Sequence, residues 1–415
     1  MSSFIVSSGV VSSGLTLSAG ESGTVLSGGE ATAITVDSGG LLTVSSGGSA
    51  TFDLISSGGG EIVSAGGIAT SETVFSGGLL TVSSGGLAQF DSLSGGSVVV
   101  SAAGTINTDF VLAGGSETVR SGGVANLNFV FSGGAQFVSA GGVASATTVS
   151  SGGSQTVLSA GSAVVTTVSS GGTEVVSSGG VDINAAIGFG GGETVYGTAS
   201  GATVSSGGQL TVSSGGSATS TTVLSGGAEI VVTGGTDTGA RISAGGSQSV
   251  RGTTSAVVVS SGGSQIVSSG GIASNTTVAS GGFLSIQAPT GLAVSTTILA
   301  GGSETVSSGG SASATTISSG GLLRVASGGV ASGTVIEPGG SETVSAGGSD
   351  SGAILSGGSQ DVFGTATSAL LDGSATQTVE SGGIAIGTTV SATDTLIVLS
   401  GGTASGATKI GRAHV

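Results

Sequence analysis

The sequence predicts an all-β protein: a single long parallel β-helix, or β-solenoid, of about 22 rungs, each mostly 19 residues long. Three observations predict it. A branched aliphatic residue recurs in one register through the chain, at Val6, Val25, Val44, Val63, Val82, Val100 and onward to Val379 and Val398, with Ile286 the one departure from Val. Glycine pairs recur with it, alternately 8 and 11 residues apart, as at Gly301, Gly309, Gly320, Gly328 and Gly339. The runs between them are short, rich in Val, Ile and Thr, and closed by Ser-Gly-Gly, the composition of strands joined by tight turns.

The valine register carries the most weight. A disordered Gly-rich linker has no reason to hold an apolar residue in phase, whereas stacked turns must present one to the same interior line. With 87 Gly in 415 residues the chain resembles a linker, but 37% hydrophobic residues and a mean hydropathy of +0.52 oppose that reading. Helix is excluded by the Gly density and by the lack of a 3.6-residue period. One rung alone buries too little to offset the entropy of ordering it, so the copies must stack, and at a strand spacing of ~4.8 Å the stack would reach on the order of 100 Å.

Each element has a local reason. The shorter segment is typified by Leu41-Leu42-Thr43-Val44-Ser45-Ser46-Gly47-Gly48 and the longer by Val143-Ala144-Ser145-Ala146-Thr147-Thr148-Val149-Ser150-Ser151-Gly152-Gly153. Paired glycines supply the positive φ of a sharp corner. Three Gly-Thr corners, Tyr196-Gly197-Thr198, Arg251-Gly252-Thr253 and Phe363-Gly364-Thr365, shorten their rungs without losing the register. Gly188-Phe189-Gly190-Gly191-Gly192 reads as a wide corner. The residue two before the marker valine is Glu at 61, 117, 174, 193, 229, 304 and 342, and because only Glu174 and Glu193 fall on successive rungs, this column is expected to face solvent. Asp53, Asp109, Asp182 and Asp237 fall in different repeats, at offsets taken as unrelated, and are expected to be isolated solvated acids.

Chemistry is sparse. There is no Cys, and the single His is His414, so nucleophile-and-base catalysis lacks its usual residues. No catalytic, cofactor or metal site is expected; the Gly-Gly-x-Gly-x-Asp repeat of calcium-binding rolls is absent. A formal charge of −16 argues against nucleic acid and anionic lipid as partners. No apolar run approaches the ~20 residues that span a bilayer, and Met1–Gly9 lacks the basic start and apolar stretch of an export signal. Hydroxyls are abundant: Ser45, Ser83, Ser213, Ser268 and Ser307 follow the marker valine and should point outward by strand alternation. With Thr148, Thr277 and Thr316 they are candidate O-glycosylation acceptors. The solenoid is expected over residues 3–408. Ile410-Gly411-Arg412-Ala413-His414-Val415 breaks the pattern and can be encoded by a common sequencing-adapter oligonucleotide, so residues 410–415 are expected to be read-through; Lys409 already stands where the column wants Val or Ile.

The consensus Val-Ser-Ser-Gly-Gly-x-Ala-x-x-Thr-Thr-Val-x-Ser-Gly-Gly closely resembles the passenger repeats of AIDA-type autotransporter adhesins of Gram-negative bacteria, over residues 3 to about 408. The resemblance implies a right-handed coil at the cell surface or secreted, O-heptosylation of Ser and Thr by a dedicated glycosyltransferase, and attachment to like molecules on neighbouring cells or to host receptors and glycans. Alternatives are a passive stalk for a C-terminal domain beyond this sequence, and a polysaccharide-acting β-helix enzyme, which would need several acids to converge on one face.

Overall fold

The computed structural model describes residues 3–410 apart from positions 46, 244 and 261. Every regular element among the described residues is a short strand, and the strands pair in parallel from one rung to the next. This is a parallel β-solenoid with three sheets. The chain divides into two compact units, Met1–Thr203 with Gly207–Leu210, and Val204–Ser206 with Thr211–Val415. Within each, one turn of the coil is much like the next.

A rung contains three strands, where the spacing of the glycine pairs suggested two. In the rung of Val44 these are Leu41–Val44, Ser49–Thr51 and Leu54–Ile55. Leu42 pairs with Glu61 and Val44 with Val63 on the next rung, Ala50 with Ala69, and Ile55 with Val74. The longer segment breaks at a third corner, where a residue adopts a left-handed backbone: Phe52 (φ 59°), Phe90 (φ 62°), Leu127 (φ 57°), Ala146 (φ 55°) and Asn275 (φ 55°) all occupy it.

The two glycines of each pair do different work. Gly66 has φ 79°, while Gly67 lacks a positive φ and is small for another reason. A Cβ on Gly67 would lie 2.5 Å from the Val44 carbonyl oxygen one rung earlier. Packing rungs at strand spacing leaves no room for a side chain there. The Gly-Thr corners obey the same constraint: a Cβ on Gly197 would strike the carbonyls of Gly180 and Ser177. Gly188–Gly192 is a corner of ordinary length, with Phe189 in the place of the second Ser and Gly192 opening the next strand.

Side chains alternate inward and outward along each strand. The marker residues from Val6 to Val379 are all buried, and only Val398, on the last rung, is exposed at 45%. A second inner column is mostly alanine (Ala31, Ala50, Ala69, Ala88); a third is aliphatic (Val36, Ile55, Val74, Leu93). Two further inward columns, one on the first strand and one at the third corner, are mixed, and they hold most of the buried acids.

Candidate functional site

The acid columns face inward, against the expectation of a solvent-facing ladder. Glu61, Glu117, Glu174, Glu193, Glu229, Glu304 and Glu342 are at most 1% exposed. The reason is the strand period: a residue two before an inward valine is also inward. Asp53, Asp109, Asp182 and Asp237 are buried as well, and their offsets are related. Asp53, Glu72, Asp91 and Asp109 occupy the third-corner column on successive rungs, while Asp182 and Asp237 belong to the alanine column, paired with Ala163 and Ala218.

Much of this interior is organised by hydrogen bonds along the coil. From Asp53 to Asn128 each side chain of the corner column caps the backbone of the preceding rung: the Ile34 N–H donates to Asp53 Oδ1 (2.8 Å), the Glu72 N–H to Asp91 Oδ1 (2.9 Å) and the Asp109 N–H to Asn128 Oδ1 (3.0 Å). On the first strand, glutamines form an amide ladder. Gln136 Nε2 donates to Glu117 (2.6 Å), Gln155 Nε2 to Gln136 Oε1 (2.5 Å) and Gln265 Nε2 to Gln248 Oε1 (2.7 Å). The columns cross-link where Asn128 Nδ2 reaches both Glu117 oxygens and the Thr166 hydroxyl donates to Gln155 (3.0 Å). Such ladders satisfy buried polar atoms while fixing which rung lies on which.

Desolvation pushes the buried carboxyls up. Glu117 and Asp91 are raised to about 7 and Glu304 to about 8, each by burial, partly offset by the hydrogen bonds each accepts. Glu61 is held well above the usual carboxylate range, by burial and then by Glu72, Asp53 and Asp91. Two groups have carboxylate oxygens within 4.8 Å of one another: Asp53, Glu61 and Glu72, and Glu174, Asp182 and Glu193. Acids therefore do converge, but inside the coil, where no polysaccharide can reach them.

Burial of the acids changes the electrostatic picture. Among the described residues, the outward acids are Glu21, Glu30, Asp37, Glu337, Asp361, Asp372 and Glu380, against the exposed bases Arg120, Arg241, Arg251, Arg324 and Lys409. The exterior is nearly neutral, so the repulsion inferred from the formal −16 does not operate at the surface. Small hydroxyls dominate it. Ser45, Ser83, Ser268, Ser307, Thr148, Thr277 and Thr316 are half-buried, and Ser213 is buried at 9% exposure. The serines one position later, Ser84, Ser214, Ser269 and Ser308, stand at the turn tips and are exposed. Strand alternation alone favours the position after the valine; the turn geometry favours its neighbour. Apolar knobs interrupt the hydroxyls at the third corner on alternate rungs: Phe52 (62% exposed), Phe90 (49%), Leu127 (56%) and Val165 (48%). Gly411–Val415, including His414, lie outside the described residues.

Residues 193–246 and 290–340 match the family model AIDA, adhesin of bacterial autotransporter system, probable stalk. The chain carries the stalk repeats of autotransporter adhesins. That family consists of surface or secreted passengers of Gram-negative bacteria, which makes this chain adhesin-like and suggests a non-enzymatic role. Among solved structures, a fragment of TibA hyper-glycosylated through TibC catalysis is 31% identical; the match covers 96% of this chain and 100% of that one, with a TM-score of 0.27. No curated protein sequence matches the chain.

Proposed function

We propose that the chain is a non-catalytic, adhesin-like passenger of a Gram-negative bacterium, displayed at the cell surface or secreted, that attaches cells to one another or to host surfaces by lateral contact. The observation that carries the proposal is the division of its chemistry: charge is sequestered inside, and the outside repeats hydroxyls and isolated apolar knobs rung after rung. A near-neutral, repetitive surface supports many weak contacts that add through multivalency and require no catalytic group. The same surface is a periodic acceptor array for O-glycosylation by a glycosyltransferase, with Ser84, Ser269 and Ser308 more accessible than the serines before them.

Beads coated with the purified chain test this. They should cluster with one another or be retained on host-cell glycans, and replacing Phe52, Phe90, Leu127 and Val165 together by Ser should reduce both. The family's description as a stalk favours a second reading, in which the chain only spaces another segment from the cell. Beads that neither cluster nor bind, while longer forms of the protein do, would establish the stalk and refute the adhesin.

A further inference from the structure

Glu61 and Glu117 hold the same position in the coil, yet their surroundings differ in the one respect that matters for a buried carboxylate. Glu117 faces Asn128 across the rung and Gln136 on the next rung, and it receives three amide hydrogen bonds of 2.6–2.9 Å. At Glu61 the residue across the rung is Glu72 and the residue on the next rung is Leu80. Both amide donors are gone. Neither oxygen of Glu61 has a hydrogen-bond partner, although the side chain is 0% exposed.

The two neighbouring carboxylates are held by backbone N–H groups that favour their charged forms. Asp53 Oδ1 accepts from Ile34 (2.8 Å), and Glu72 accepts from Asp53 (2.5 Å) and Thr70 (3.1 Å). Asp53 Oδ2 is unpartnered like both oxygens of Glu61. The charges acting on Glu61 come from Glu72, Asp53 and Asp91, all acids. Three carboxylates thus converge with free lone pairs and no cationic side chain between them.

We infer that Asp53, Glu61 and Glu72 form an interior binding site for a hard divalent cation. All donors are carboxylate oxygens, the ligand set of calcium and magnesium and not of thiophilic or imidazole-seeking metals. Oxygens within 4.8 Å of one another match ligands on opposite sides of an ion bound at about 2.4 Å. Because the site is sealed, the ion enters as the rungs close and is then trapped, which couples its binding to folding.

The full chain should be refolded at neutral pH in calcium, in magnesium or in chelator, passed through chelator-containing buffer, and assayed for bound metal and for its unfolding midpoint. The matched variants are Glu61→Leu, which continues the column of Leu42 and Leu80, and Glu61→Gln, a residue the column holds at Gln136 and Gln155. Wild type refolded in one of the two cations should retain about one equivalent more than either variant and unfold at a higher temperature than wild type refolded in chelator. The arm that retains metal identifies the ion. Equal metal content in wild type and both variants, or a wild-type midpoint indifferent to both cations, would overturn the assignment; in that case protons alone neutralise the cluster.

Discussion

Replacing Glu304 by Gln should abolish a defined part of the protein's pH sensitivity. Glu304 is fully buried between Leu284 and Leu323 of the adjacent rungs, accepts one hydrogen bond from the Thr315 hydroxyl (3.3 Å), and has no partner at Oε1. Burial pushes its carboxyl from 4.5 up to about 8. The folded state therefore holds a proton that the unfolded chain releases. Stability from this group is full below about pH 4.5 and is lost as pH rises through about 8. At ~1.4 kcal/mol per pH unit, the loss is on the order of 4–5 kcal/mol. Glutamine keeps the shape and the acceptor for Thr315, and it does not titrate. Urea unfolding of wild type and Glu304→Gln at pH 4.5 and pH 8 should give similar midpoints at the acid end and a variant more stable by about that amount at the alkaline end. An unchanged pH slope in the variant would refute the inward placement of Glu304 and the desolvation argument with it.

Other substitutions probe other parts of the rung. Gly67→Ala should destabilise more than Gly66→Ala by thermal unfolding: at Gly66, with open space around it, the cost is the left-handed backbone, about 1–2 kcal/mol, while at Gly67 the Val44 carbonyl must also move. Phe52→Asn should stabilise the fold by about 0.5–1 kcal/mol, read as a higher denaturant midpoint, since a bulky exposed residue at φ 59° gives way to one that the same corner accepts at Asn184 and Asn275. Gln155→Leu should cost about 1–3 kcal/mol in denaturant titration by leaving the Thr166 hydroxyl without its acceptor and Gln136 Oε1 with the Thr147 hydroxyl alone as donor.

The fold was legible because the strongest signal in the sequence, the valine register, is also the strongest constraint on stacked turns. The third corner was hidden because Phe52, Leu127 or Ala146 can stand there; the backbone turns without a glycine to announce it. The acids were legible in principle and misread. Glu61 lies two residues before Val63, so period-two alternation places it inside, although the charge and the scatter of this column along the rungs point outward. Asp53, Glu72, Asp91 and Asp109 are each one rung apart, a column that appears once the register is stepped along the corner as well as the first strand. What the sequence could not show is that these carboxylates would meet backbone N–H groups of the preceding rung, because that depends on how closely the turns stack. Accessibility of the hydroxyls is a matter of turn shape, and the more exposed serine stands one residue along.

The central claim is that, within each compact unit, successive rungs turn the marker valine and the residue two before it, whether leucine, acid or amide, into a closed interior. The chain contains no cysteine, so single cysteines at Ser303, Glu304, Thr305 and Val306 report their own accessibility to a maleimide. Cysteines at 303 and 305 should react in the native protein, and those at 304 and 306 only after denaturation; a cysteine at 304 that labels as fast as one at 305 would contradict the account.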